Sequence, residues 1–456
     1  MENITVKDIL EATKGVLLSG DENTPILDIC INSREIKEGD LFVPIIGENV
    51  DAHRFIESAL EVGAATLTSE HDNIIVGQDK PYIRVNDTVA AMQDIAKYLR
   101  ARISAKVVGV TGSVGKTTTR EMIATALATA KPTYQTEKNY NSQIGLPIAV
   151  SHITSEHEMA VLEMGMSEEG QIAILSDIAK PDMCVVTTIG VAHIEFLKSQ
   201  ENIRTEKLSI INSMAEGGTL FLNGDDAMLK EMQGKMPCRT LFYGTEDWCD
   251  YRGENIVFEN DRTFFDFVHG DVRVPVELNA LGKHNVANCV AGMAVACEMG
   301  IEATVAAEGF KDFSGQRQRL IKEEGRFTIL DDCYNASTTS MKASLDVLSD
   351  MPCEGKRYAV LGDMFELGEN EEQYHYEVGA YAASKNINEV ICIGELAQHI
   401  KRAVEEADTA VKAYTFVDKE EAAFYLISLL KPEDIVLIKA SNGMKLSDMV
   451  GILQSS

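Results

Sequence analysis

Positive charge is what this sequence is short of. Its 42 lysines and arginines stand against 71 aspartates and glutamates, a formal net charge of -29. So acidic a chain repels polyanions, which argues against nucleic acid or an anionic membrane as its main partner, although local basic spots can still hold a nucleotide. Long apolar runs are missing as well, since none approaches the roughly 18 residues that a bilayer span needs. The opening MENITVKDILEATKG has no basic stretch followed by an apolar one, so no secretory signal is expected and the cytoplasm is the expected compartment. The nine cysteines are scattered and form no C-x-x-C pair. They read as reduced thiols that fill cores; Cys333, in an acidic loop, is the one weighed for chemistry, and core filling is preferred there too. No short-period repeat and no low-complexity tract is found, which excludes a solenoid or a long disordered arm.

What remains is an ordinary globular composition, 45% hydrophobic and 25% charged, over 456 residues. That length implies roughly two to four cores. The first hundred residues mix short strands and helices with turn signals such as SGDENTP. A basic, helix-like segment, KYLRARISAK, then runs into KVVGVTG. From there strands (KVVGVTG, EMAVLEMG, DMCVVTTIG, GTLFLNGD) alternate with helical segments, the pattern of a mainly parallel sheet. A second alternating block from Arg317 onward, with FTILDD, RYAVLGD, EVICIGE and DIVLIKAS, predicts a doubly wound domain. The expectation is an α/β protein of three domains, 1–102, 103–315 and 316–456.

The stretch VVGVTGSVGKTTT (107–119) looks like a phosphate loop, but the usual G-x-x-x-x-G-K-[ST] spacing would put a glycine at Val110. Gly109 and Gly112 stand there instead. Chemically the parts are in place: Gly112 and Gly115 free the backbone, and Lys116 supplies charge for the β/γ-phosphates. Thr117 offers a hydroxyl to Mg²⁺, and Ser113 and Thr118 complete the loop. Met122, Ile123, Ala126, Leu127 and Ala130 form one helical stripe after it, so the loop lies between a strand and a helix. The alternative is a glycine turn that merely caps a helix.

A single threonine is an incomplete magnesium site, and Glu163, at the end of MAVLE, is the expected carboxylate. By itself it would read as a solvated strand end. His193 follows the strand CVVTTIG, and Lys207 sits on a helix fourteen residues later; taken singly, each would be a packed or solvated residue.

Together these motifs resemble the Mur ligase family, which joins an amino acid or dipeptide to a UDP-linked muramyl peptide using ATP. The family's loop, G-x-T-G-[ST]-x-G-K-[ST], fits Gly109 to Thr117 position by position. TEKNYNSQIGLPIAV resembles its asparagine-rich segment, with Asn139 and Asn141 as substrate-side residues. LGKHNVANCVAG, with His284, Asn285 and Asn288, resembles the adenine-contacting segment. The resemblance further implies Glu163 as an Mg²⁺ ligand, His193 as a ligand of a second Mg²⁺, and Lys207 as a lysine that is carbamylated. CO₂ on a neutral lysine turns a cation that repels Mg²⁺ into an anion that helps to hold it. Arg317 and Asp332 are similar to nucleotide contacts from the third domain, and Ser33 and Arg34 to uridine-side contacts. DDCYNAS (331–337) and VLGDMFELG (360–368) are most like the dipeptide-adding branch of the family.

The resemblance implies a UDP-substrate domain, a central P-loop ATPase-like domain with a mainly parallel sheet and a C-terminal Rossmann-like ligase domain. The expected substrates are UDP-N-acetylmuramoyl-tripeptide and D-alanyl-D-alanine. The expected cofactors are ATP, two Mg²⁺ ions and carbamylated Lys207, with Lys116, His193 and Lys207 as catalytic residues and a monomer as the expected state. The sequence departs from the family pattern at Ala52, at Ser142, in ASTTSM (336–341) and at Asn442, where arginine is usual. Two alternatives stand beside this reading. One is another carboxylate–amine ligase of the same superfamily, such as a folyl-polyglutamate synthase, and the other is a nucleotide binder that does no chemistry.

Overall fold

Every residue of Val107–Thr111 is buried, as suits a strand with apolar side chains on both faces. In the computed structural model, which describes residues 1–70, 79–315, 317–323 and 325–456, Lys106–Thr111 pairs in parallel with Met159–Glu163. Met159–Glu163 in turn pairs in parallel with Thr133–Gln135. These strands belong to the first of two compact units, which comprises Met1–Thr111, Lys131–Cys184 and Ser209–Thr219. The same unit holds a five-stranded sheet, in the order Val16–Ser19, Tyr82–Arg84, Ala65–Thr68, Asp40–Phe42, Asp28–Cys30. Only its first pair is antiparallel. The helix Thr88–Arg100 packs Ala91, Met92, Ile95 and Leu99 into the core of this unit. It begins where Asp87 accepts the Ala90 amide at 2.7 Å, an N-cap that satisfies one orphan donor.

The second unit comprises Gly112–Ala130, Val185–Leu208 and Leu220–Ser456. Its helices Lys116–Ala128 and Lys283–Glu298 cross closely because Gly292 lets the backbones meet: a Cβ there would lie 2.7 Å from the Met122 carbonyl oxygen. Strands Tyr251–Glu259, Arg262–His269 and Val272–Leu278 form an antiparallel ribbon beside Arg239–Gly244. The expected mainly parallel pattern therefore does not extend through 251–278. Side chains in Arg262–His269 largely alternate between buried and half-buried, the period of a sheet with one wet face.

The last six strands of the chain form a sheet in the order Arg319–Ile321, Thr328–Asp331, Ile435–Lys439, Arg357–Gly362, Glu389–Ile393, Lys412–Phe416. All neighbours but the first pair are parallel. One core, with Met341, Leu345, Val378 and Ile400, covers one face, and a second, with Ala423, Leu426, Met449 and Leu453, covers the other. This is the doubly wound arrangement that the alternation predicts. Gln316, where the third domain is expected to begin, lies outside the described residues. Among the described residues no helix is long and apolar enough to cross a membrane.

Candidate functional site

The odd glycine spacing of the loop has a structural cause. Val110 is fully buried in the strand, so the chain has not yet turned at the position where the common pattern places a glycine. The turn comes at Gly112, with φ +155°, where a Cβ would fall 1.8 Å from Thr187 Oγ1. That hydroxyl donates to the Val114 carbonyl at 2.5 Å. The Val114 amide donates to Thr188 Oγ1 at 3.0 Å, and the Ser113 amide to the Thr188 carbonyl at 2.8 Å. The loop is thus hung on Thr187 and Thr188, and a side chain at 112 would occupy the place of the hydroxyl that holds it. Gly115, with φ +85°, starts the helix Lys116–Ala128. Lys116 Nζ donates to the loop's own carbonyls at Gly112, 2.8 Å, and Ser113, 3.3 Å.

Arg317 reaches this loop: its guanidinium donates to Thr117 Oγ1 at 2.7 Å and stacks on the Tyr334 ring, 3.1 Å from the centroid. Lys207, on the helix Gln200–Leu208, is 2% exposed. Burial drives its pKa well below the usual lysine value, and the Lys116 charge adds to the effect against the opposing pull of Glu206. His193, in a left-handed backbone conformation with φ +62°, is also pushed down by burial, while Glu366 works the other way and Lys116 and Lys207 add to the lowering. Its Nδ1 lies 2.7 Å from a Glu366 carboxylate oxygen. The Lys116 charge thus acts on both His193 and Lys207, and the Lys207 charge acts on His193.

Asp332 follows the strand Thr328–Asp331, and its Oδ2 takes both Lys439 Nζ at 2.7 Å and Ser344 Oγ at 2.6 Å. Lys439 is itself 2% exposed and also donates to the Asn335 carbonyl at 2.9 Å. Sequence reasoning did not single out Lys439, Ser344, Tyr334 or Glu366; Tyr334 and Glu366 carried a signal in their places in DDCYNAS and VLGDMFELG. Asn288 and Asn285 are buried and join helices: Thr119 Oγ1 donates to Asn288 Oδ1 at 3.0 Å, Asn288 Nδ2 to Asn285 Oδ1 at 3.2 Å, and Asn285 Nδ2 to the Leu281 carbonyl at 2.8 Å. Thr118 is half-buried in the first turn of the loop's helix, and Asn442 is exposed. Burial pushes the Cys333 thiol up, so it is held protonated and inert.

In the first unit, Glu163 is 2% exposed at the end of its strand and accepts from Asn141 Nδ2 at 2.7 Å. Its amide donates to Thr136 Oγ1 at 3.0 Å. Asn139 is exposed, and its carbonyl takes the Asn141 amide at 2.8 Å. Ser33 and Arg34 lie in the turn after strand Asp28–Cys30, the serine half-buried and the arginine exposed, with the Arg34 amide 3.2 Å from Asn32 Oδ1. Among the described residues no three His, Cys, Asp or Glu side chains form a ready metal site.

A strand, a glycine loop with its lysine and hydroxyl, and a doubly wound sheet whose leading arginine reaches that loop define an α/β enzyme of the phosphate-loop class. Family models sharpen this. The model described as "Mur ligase family, catalytic domain" matches residues 25–100, the "Mur ligase middle domain" matches 110–296, and the "Mur ligase, glutamate ligase domain" matches 316–442. The chain belongs to the Mur ligase family, whose members are ligases. It is 37% identical over 451 residues to the UDP-N-acetylmuramoyl-tripeptide–D-alanyl-D-alanine ligase of Bacillus subtilis, covering 98% of this chain and 97% of that protein. The ligase of the same name from Escherichia coli is 29% identical, covering 100% and 99%. Among solved structures, MurF from Acinetobacter baumannii superposes with a TM-score of 0.89 at 26% identity, covering 99% of both chains. MurF ligase from Thermotoga maritima in complex with ADP gives 0.84 at 29% identity, covering 95% and 97%.

Proposed function

We propose that this chain is an ATP-dependent, ADP-forming ligase that adds D-alanyl-D-alanine to UDP-N-acetylmuramoyl-tripeptide, a step in making a peptidoglycan precursor. The observation that carries this reading is the buried Lys207 beside Lys116 and His193, because a protein that only binds nucleotide has no use for it. Relatives of nearly the same length that bear this activity in their names support it.

The tripeptide's terminal carboxylate attacks the γ-phosphorus, giving an acyl phosphate and ADP. The dipeptide amine then attacks the acyl carbon and expels phosphate. Two anions must first be brought together, so catalysis is chiefly charge neutralisation and alignment. Lys116, now resting on its own loop, is placed to turn to the β/γ-phosphates. The loop residues Gly112, Ser113, Gly115 and Thr118 form the proposed phosphate path, the Ser113 amide being taken by the Thr188 carbonyl, and Arg317 and Asp332 serve the nucleotide. Asn285 and Asn288 support the adenine side of that path from the helix Lys283–Glu298. Ser33 and Arg34 hold the uridine side of the substrate, and Asn139 and Asn141 its peptide side, with Asn141 also fixing Glu163.

Thr117 and Glu163 are the proposed ligands of one Mg²⁺, and His193 with carbamylated Lys207 those of the other. The donor chemistry fits, since a desolvated neutral amine is the form that takes up CO₂, and the resulting carboxylate supplies the anionic ligand otherwise missing there. Bound Mg²⁺ supplies charge neutralisation at the phosphates. We place the domain limits at 1–102 for the UDP substrate, 103–315 for ATP and 316–456 for ligation, in a cytoplasmic monomer.

The test is ADP release with the UDP-linked tripeptide and one amine at a time: D-Ala-D-Ala, L-lysine, meso-diaminopimelate, D-glutamate or L-glutamate. Turnover is expected with D-Ala-D-Ala alone, and its absence there would refute the reading.

A further inference from the structure

His375 is wholly buried, yet no step of the proposed reaction uses it. It lies in the helix Glu371–Ala383, and both of its ring nitrogens are engaged. Nε2 takes the Met364 amide at 2.9 Å, and Nδ1 lies 2.7 Å from the Glu371 carbonyl. A ring nitrogen that accepts an N–H carries no proton. The proton therefore sits on Nδ1, which donates to that carbonyl, and the ring is neutral. Burial lowers the pKa of the ring in the same sense, with the Glu371 carbonyl and Asp363 opposing it and His399 adding to it.

Met364 belongs to the turn that follows the strand Arg357–Gly362. Two other segments hold the same turn. The Phe365 amide donates to Ser441 Oγ at 3.0 Å, the Ser441 amide to the Asp363 carbonyl at 3.1 Å, and the Ala397 amide to Asp363 Oδ1 at 2.8 Å. Glu366 comes next, in a left-handed conformation with φ +62°. A residue with a side chain is disfavoured there and stays only where its surroundings fix the backbone. The Glu366 side chain is 53% exposed, so packing does not aim it and the backbone must. Its carboxylate stands 2.7 Å from His193 Nδ1.

We propose that His375 is a positioning residue for the second metal ion. By holding the Met364 amide it sets the turn that aims Glu366 at His193 Nδ1, which leaves His193 Nε2 to act as a ligand. This rests on the metal site proposed above for His193 and Lys207. Ser441 clamps the same turn at the next amide. A histidine that only filled the core would act on stability and leave the two metal ions equally affected.

The test titrates the full chain, with AMP-PNP and bicarbonate, with Mn²⁺ in place of Mg²⁺ and counts bound ions by electron paramagnetic resonance. Wild type should bind two. His375→Leu keeps the core filled but removes the acceptor, so the second ion should bind about tenfold more weakly while the first stays within about twofold. His375→Gln restores an acceptor and should recover most of the loss. Ser441→Ala frees the Phe365 amide and should weaken the second ion in the same way; it decides the matter if the leucine variant does not fold. In a Glu366→Gln background, His375→Leu should add no further loss, because both act through one carboxylate. An unshifted second ion in the folded variant, equal weakening of both ions, or losses that multiply in the double variant would overturn the proposal while leaving the two-metal reading intact. A wild type that binds a single ion defeats that reading and this proposal together.

Discussion

A lysine enclosed by protein, as Lys207 is, gives up its proton because nothing around it replaces the water that would solvate the cation. Its folded-state pKa lies well below the value of about 10.4 that it has in the unfolded chain. Between those two values the unfolded state binds the extra proton, so stability rises with pH across that window. In CO₂-free buffer, the stability of wild type relative to a Lys207→Met chain, measured by denaturation, should rise with pH towards about pH 10. Lys207→Met should be the more stable chain at neutral pH, with a flatter curve, and the gap should close towards pH 10. Added bicarbonate should stabilise wild type and leave the variant unchanged. In activity assays Lys207→Ala should lose most ligation and recover part of it with short carboxylates, whereas unchanged activity would remove the lysine from the mechanism. In the sequence this lysine reads singly as a solvated charge; the resemblance alone marked it, because burial is a property of the folded chain.

The phosphate loop shows what an element adds to its residues. Its glycines, lysine and threonine were legible, and so was its place between strand and helix. The reason for the displaced glycine was not, since Thr187 and Thr188 lie over seventy residues away and meet the loop only after folding. Gly112→Ala would drive a methyl group into the Thr187 hydroxyl. The expected result is a folded chain destabilised by roughly 1–3 kcal/mol. Its ADP affinity should fall at least about tenfold, since re-aimed amides no longer meet the phosphates. Calorimetry that finds unaltered ADP binding would show that the loop does not depend on this contact.

The second unit also joins parts distant in the chain. Glu366 has φ +62°, and Gly368, with φ +65°, would place a Cβ 3.4 Å from Glu195 Cα, so the segment after Gly362 is folded tightly onto the one that carries His193. Met364 and Leu367 are buried and anchor it. A carboxylate at Nδ1 fixes the ring's orientation and leaves Nε2 to act as a ligand. Glu366→Gln should therefore raise the Mg²⁺ concentration for half-maximal turnover by about tenfold, with ADP affinity little changed. An unshifted Mg²⁺ dependence would reduce the contact to packing.

Local pattern determined much of this protein. Strands with apolar runs, such as Met159–Glu163, Thr328–Asp331 and Ile435–Lys439, and the doubly wound alternation of the last block declare themselves in the sequence, because burial on both faces leaves an unbroken apolar signature. The order of motifs, from the glycine loop to VLGDMFELG, was enough to indicate the family. Only the tertiary structure decided the rest. The ribbon over 251–278 and the edge strands Arg319–Ile321 and Lys412–Phe416 are half-exposed, so polar residues interrupt their pattern. Asn288 takes the Thr119 hydroxyl of another helix, and Lys439 and Ser344 grip one oxygen of Asp332. Sequence spacing cannot show such pairings, because each partner's environment is made by chain that lies far away until the core closes around it.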